Sequence, residues 1–130
     1  MEVGVVVDRQ GRALYWHLPA GRSQAALPDS RALWEVLWER RAELGGFAHS
    51  HPGSGPPCPS SVDRSTFSAI EAALGQRLDW WITSEDVLRL YRYDERAGAH
   101  VPLGILAEAP CWLSELRQRS RRGEEEESNG

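Results

Sequence analysis

The chain contains no lysine: all 15 basic residues among its 130 are arginine, and asparagine occurs only at Asn129. Codon bias in a GC-rich genome is the plain cause, but such a chain also offers no side-chain amine to a protein-conjugating enzyme. Cysteine is scarce, with Cys58 and Cys111 alone, which argues against a disulfide framework and fits a reducing compartment. No apolar run approaches the ~18 residues that span a bilayer. The opening residues, from Met1-Glu2-Val3-Gly4 onward, have no basic leader and too short an apolar stretch for a secretory signal. A cytoplasmic protein without membrane attachment is therefore expected. Positive charge is also in deficit: the formal net charge is -4, so the concentrated basic surface that phosphate backbones require is missing and nucleic acid is not expected as a partner.

What is present fits one folded domain. Apolar residues at 41% and charged residues at 26% exclude collagen-like and wholly disordered chains, and the length suffices to bury a core without staples. Residues 3–7 predict a strand and 12–18 a second, joined by a turn at Asp8-Arg9-Gln10-Gly11. After a loop over 19–28, Asp29 or Ser30 caps a helix on which Leu33, Val36, Leu37 and Leu44 recur at helical spacing, ending at Gly45-Gly46. A strand over 47–51 runs into a Pro- and Gly-rich loop, 52–59. A helix over 61–74 stops at Gly75, strands follow at 78–83, 87–93 and 100–107, and 110–122 reads as a short helix. Residues 123–130, with four glutamates, read as a disordered acidic tail. Strands and helices mix without regular alternation, so the fold class is α+β with a mixed sheet flanked by helices in three layers. The predicted organisation is a domain at 1–109, a C-terminal helix or extension at 110–122, and the tail at 123–130.

The informative stretch is His49-Ser50-His51-Pro52, a loop, and then Ser60-Ser61-Val62-Asp63. Side chains two apart on a strand share a face, so His49 and His51 can present two imidazoles to one point. Asp63 falls in the first turn of the next helix, where the helix dipole favours a carboxylate and its side chain can aim back at the strand end. Two nitrogens and one carboxylate oxygen suit Zn²⁺ and leave a fourth position for water, the pattern of a catalytic rather than a structural site. Each piece has a plainer reading: the histidines as surface hydrogen bonders, Ser60 and Asp63 as a helix capping box. Cys58, in the same loop, would close the site if it joined the ligands. Trp34, Trp38, Trp80 and Trp81 read as core aromatics, with a protein-binding face as the alternative. Glu35, Glu39 and Glu43 read as a solvated face with arginine partners, and His17 and His100 as structural histidines.

Taken together, His49-x-His51-Pro52 followed by Ser60-x-x-Asp63 resembles the signature of the JAMM metalloproteases, also called JAB or MPN domains. Glu2, ahead of the apolar segment Val3-Gly4-Val5-Val6-Val7, matches the glutamate that family carries near its first strand, and the likeness covers roughly residues 2–107. The resemblance implies an MPN/JAB-like domain with a cytidine-deaminase-like three-layer arrangement. It implies one Zn²⁺ held by His49, His51 and Asp63, with Glu2 as general base towards a zinc-bound water and Ser60 supporting the oxyanion. It also implies a peptidase or isopeptidase cutting after the C-terminal tail of a ubiquitin-like or sulfur-carrier-like protein, which would give the lack of lysine a second meaning. The alternatives are a non-catalytic scaffold of the same fold and a zinc amidohydrolase acting on a small-molecule amide.

Overall fold

A short run of valines lies at the centre of the molecule. β1, Gly4–Asp8, is buried along its whole length because both faces of its sheet are covered: Val6 packs in one apolar cluster, while Val5 and Val7 pack in another. The computed structural model describes residues 1–19, 30–104 and 108–129, with the backbone alone beyond Arg122.

Around β1 the chain forms β2 (Ala13–His17), α1 (Arg31–Glu39), β3 (Leu44–Ser50), α2 (Ser61–Leu74), β4 (Asp79–Thr83), β5 (Leu88–Asp94), β6 (Ala99–Pro102) and α3 (Leu113–Asn129). The six strands form one sheet in the order β2-β1-β3-β4-β5-β6. Its pairs are antiparallel except β3 with β4. A parallel pair needs a crossover, and α2 supplies it. One face carries Leu33 and Leu37 of α1 and Phe67 and Ile70 of α2 against Phe47, Trp80 and Ile82. On the other, Trp112, Leu113 and Leu116 at the start of α3 cover Val3, Val5, Val7 and Ala48. The architecture is α+β, a mixed sheet between helices. Among the described residues no helix is long and apolar enough to cross a membrane.

The structure departs from the sequence pattern in a few places. Leu44, Gly45 and Gly46 do not end α1; that helix stops at Glu39 with Arg40 as its C-cap, and the three residues open β3. The two glycines are there for close approach. A Cβ on Gly46 would lie 1.9 Å from the carbonyl oxygen of Asp79, and one on Gly45 2.4 Å from that of Asp8. Glycine in a strand can mark the close approach of a neighbouring backbone. Gly46→Ala is therefore expected to destabilise the fold by about 1–3 kcal/mol or more in urea unfolding. Gly104→Ala, into open space, is expected to stay within about 0.5 kcal/mol.

Trp38 is not core: it is 54% exposed, with the Arg41 guanidinium 3.9 Å above its ring. Trp34 packs against the core, Trp80 is buried in it, and Trp81 packs on the α3 side. Glu35 pairs with Arg31 on the α1 surface, whereas Glu43, which pairs with Arg40, lies beyond the helix. The backbone of α3 is helical through Asn129, past Arg122 and across the stretch expected to be disordered. Glutamate is a good helix former, and its run continues a helix already seeded by the packing of Leu113 and Leu116. The last strand ends at Pro102; residues 105–107 of its predicted extent lie outside the described residues, as does the loop at 20–28.

Candidate metal centre

Strand register brings the candidate side chains to one end of the sheet. Gly4 lies opposite His49 across the β1–β3 ladder, and the pairing continues with Ser50 N–H donating to the Val3 carbonyl at 3.0 Å. Glu2, Gly4 and Val6 alternate onto the α1–α2 face of the sheet, and Phe47, His49 and His51 do the same from β3. His51, one residue past the strand, is tied to β4 by its N–H donating to the Thr83 carbonyl at 2.8 Å. Asp63 arrives from the first turn of α2. Its amide donates to Ser60 Oγ at 3.0 Å, and its Oδ2 accepts from the Ser60 amide at 2.9 Å. This capping box fixes both the start of the helix and the direction of the carboxylate.

At the meeting point, His49 Nε2 and His51 Nε2 stand 3.0 Å apart. One oxygen of Asp63 turns to each ring, Oδ1 at 3.4 Å from His49 Nε2 and Oδ2 at 3.1 Å from His51 Nε2. Glu2 Oε1 lies 3.6 Å from His51 Nε2. Glu2, His49 and His51 each offer a ligand atom, all within 4.8 Å of one another, so this group could hold a metal ion. Asp63 stands beside the same imidazoles with one oxygen towards each ring. Ligand atoms about 2.0–2.2 Å from a tetrahedral ion stand about 3.3–3.6 Å from one another. Of the carboxylate separations, 3.4 Å (Asp63 to His49) and 3.6 Å (Glu2 to His51) fall in that range, and 3.1 Å (Asp63 to His51) lies just under it. Both imidazoles present Nε2 with carboxylates beside them, a donor set that could hold a metal ion.

The four groups are shifted in different directions. Burial pushes the Glu2 carboxyl up to about 7, with Asp63 adding to the rise and His51 opposing it. Burial of His49 lowers its value and favours the neutral ring that a metal ligand requires. For His51, burial works in the same direction, but the nearby Asp63 and Glu2 carboxylates outweigh it and raise the value. Burial alone would raise Asp63; contacts with His49 and His51 and the Ser60 amide instead hold it well below the usual carboxylate range. The site thus holds the Asp63 carboxylate charged and shifts that of Glu2 towards neutrality.

Ser60 is exposed, and its Oγ serves the cap as an acceptor, leaving the hydroxyl hydrogen available to a bound group. Cys58 is exposed and unpaired, as is Cys111, and among the described residues neither belongs to a metal-ligand cluster. His100 is buried, with its Nε2 2.9 Å from Glu71 Oε1, away from the centre. Sequence reasoning overlooked two residues, Ser50 and Ser120. Ser50 Oγ accepts from the Val3 amide at 3.0 Å and donates to Ser120 Oγ at 3.0 Å, and Ser120 Oγ donates to the Met1 carbonyl at 2.6 Å. The pair grips the backbone on both sides of Glu2. Serines 70 positions apart carry no local signal, so only the docking of α3 reveals the grip. Compared with known proteins, the chain matches no family model and no curated protein.

Proposed function

We propose that the protein is a JAMM-type zinc peptidase or isopeptidase that hydrolyses the bond after the C-terminal tail of a ubiquitin-like or sulfur-carrier-like protein. The observation that carries this reading is the approach of Asp63 to both His49 and His51 at 3.4 and 3.1 Å, with Glu2 at 3.6 Å from His51 on the same face. His49, His51 and Asp63 would hold the ion. Zinc bound there supplies a Lewis acid and water that ionises near neutral pH. Glu2 would take the proton of the attacking water on a carboxylate oxygen and return it to the leaving amine. The Ser60 hydroxyl donates to the carbonyl oxygen as charge develops on it.

The test is zinc content together with cleavage of a ubiquitin-like fusion. The wild type is expected to hold about one zinc per chain and to cleave. Glu2→Gln is expected to keep the metal and lose about 10²–10⁴-fold in kcat. Undiminished turnover by Glu2→Gln would overturn the assignment, and stoichiometric binding of the fusion without turnover in the wild type would favour a scaffold.

A further inference from the structure

Glu2 stands just before the sheet takes hold of the chain. The paired part of β1 begins at Gly4, opposite His17 on one side and His49 on the other, and among the described residues no strand pairs with Glu2. Side chains hold the backbone there instead. Ser50 Oγ accepts from the Val3 amide at 3.0 Å and donates to Ser120 Oγ at 3.0 Å, and Ser120 Oγ donates to the Met1 carbonyl at 2.6 Å. Each hydroxyl accepts once and donates its one hydrogen once, so the bonds run in a single direction from the Val3 amide to the Met1 carbonyl. That carbonyl belongs to the peptide unit before the Glu2 Cα, and the Val3 amide to the unit after it. Peptide units are planar, so fixing both sets the two backbone torsions of Glu2 and with them the direction of its side chain. Both serines are buried. Ser50 lies between the two histidines, and alternation along the strand sends its side chain to the α3 face while the imidazoles take the other. One strand end therefore carries the metal centre on one side and this clamp on the other.

We propose that Ser120 of α3 is a positioning residue for Glu2, fixing the backbone on both sides of it through Ser50 and the Met1 carbonyl and so aiming its carboxylate at the metal centre; this rests on the reading of the centre as a peptidase with Glu2 as its base. A base must stand within hydrogen-bond reach of the proton it takes, and a misplacement of about 1 Å costs about 10²-fold in rate. Glutamate is long and rich in rotamers, so a Cα free to turn would spread the carboxylate over more than that distance. The serine contact is not needed to seat α3. Trp112, Leu113 and Leu116 are buried against Val3, Val5, Val7 and Ala48, and the burial of three large apolar side chains outweighs one hydrogen bond. Ser120 thus contributes direction at Glu2 more than adhesion of the helix.

Ser120→Ala and Ser50→Ala are compared with the wild type as zinc-loaded full chains, for kcat and KM on a ubiquitin-like fusion and for zinc affinity by chelator competition. Each is expected to lower kcat about 10-fold or more, with KM and zinc affinity within about twofold. In the Glu2→Gln chain, where the carboxylate is already gone, Ser120→Ala is expected to change kcat by less than about twofold further, because nothing is left for it to position. A readout independent of activity is amide exchange in the zinc-free chain: Val3 is expected to exchange about 3-fold or more faster in both serine variants, with residues 5–7 of β1 unchanged. Ser50→Ala breaks the same run of hydrogen bonds without altering α3, so the clamp can still be tested if Ser120→Ala fails to fold. Wild-type kcat in both variants would overturn the positioning role. So would an equal loss with and without the Glu2 carboxylate, which makes the serines struts of the fold, or a loss carried by zinc affinity, which makes them supports of the imidazoles. A wild type that binds zinc but does not cleave would overturn the peptidase and leave the clamp to Val3 exchange, where faster exchange upholds it and unchanged exchange sinks it.

Discussion

His49→Ala is expected to abolish tight zinc binding and reduce peptide cleavage to background. Structural zinc sites bind with about 10–16 kcal/mol spread over four ligands, so one ligand carries roughly 2.5–4 kcal/mol, a factor of about 10²–10³ in affinity. The informative comparison is with the two carboxylates, because both stand beside the imidazoles. If Asp63 is the third ligand, as its contacts at 3.4 and 3.1 Å favour, Asp63→Ala loses affinity on the scale of His49→Ala, whereas Glu2→Gln changes it by less than about 10-fold. The reverse order, with Glu2→Gln losing the metal and Asp63→Ala keeping it, would transfer the ligand role to Glu2 and leave the proposed mechanism without its base. Asp63→Ala also removes half of a capping box, at a cost of about 1 kcal/mol in stability. Asp63→Asn, which retains an acceptor for the Ser60 amide, separates the cap from the ligand. Competition against a chromophoric zinc chelator measures the affinities, and thermal unfolding of the metal-free proteins measures the cap.

The largest effect on stability is expected at Glu71, far from the metal centre. Its buried carboxylate is fully partnered: Oε1 accepts from Arg77 Nη1 at 3.0 Å and lies 2.9 Å from His100 Nε2, while Oε2 accepts from the Leu78 amide at 3.0 Å and Trp80 Nε1 at 2.9 Å. The group ties the last turn of α2 to the start of β4 and to β6, inside an aromatic cluster where Phe67 stacks on Trp80 at 4.4 Å. Removing one side of such a network leaves buried donors without acceptors, so Glu71→Ala is expected to cost about 3–5 kcal/mol and to lower Tm by about 10–20 °C. Burial opposes ionisation of Glu71, but the hydrogen bonds from Trp80, Leu78 and Arg77 and the charge of His100 outweigh it and hold the carboxyl below its ordinary 4.5. A carboxyl depressed in the folded state stabilises above its unfolded value, and that contribution fades as pH falls through the folded one. The wild type is therefore expected to lose stability below about pH 4.5 through this group, with Glu71→Gln showing a flatter acid limb in urea titrations. An unchanged limb would move the acid sensitivity elsewhere.

The same residue illustrates what a one-dimensional reading can and cannot find. Glu71 lies on a helix legible from its apolar spacing, with Ser60 and Gly75 marking its ends, and those bounds match the structure because capping and a left-handed glycine are local events. Nothing in the sequence distinguishes Glu71 from the solvated glutamates of α1. The partners that make it structural come from β4 and β6, and they meet it only when the sheet is assembled. Leu44-Gly45-Gly46 failed for the related reason that a glycine answering to a neighbouring backbone looks, in sequence, like one that ends a helix. Trp38 failed because helical spacing marks a stripe without saying how wide the covered part is.

The sequence by itself determined the local parts: a valine run able to be buried on both faces, two histidines projecting to one side of a strand end, a capped helix with an aspartate in its first turn, and the resemblance those residues carry. These follow from periods of two and 3.6 residues and from caps, which act over a few positions. Only the tertiary structure decided that Glu2 lies within 3.6 Å of His51 and that Ser50 and Ser120 grip the chain around it. Those facts depend on the register of β1 against β3 and on the docking of α3 across the sheet, set by packing between residues distant in the chain.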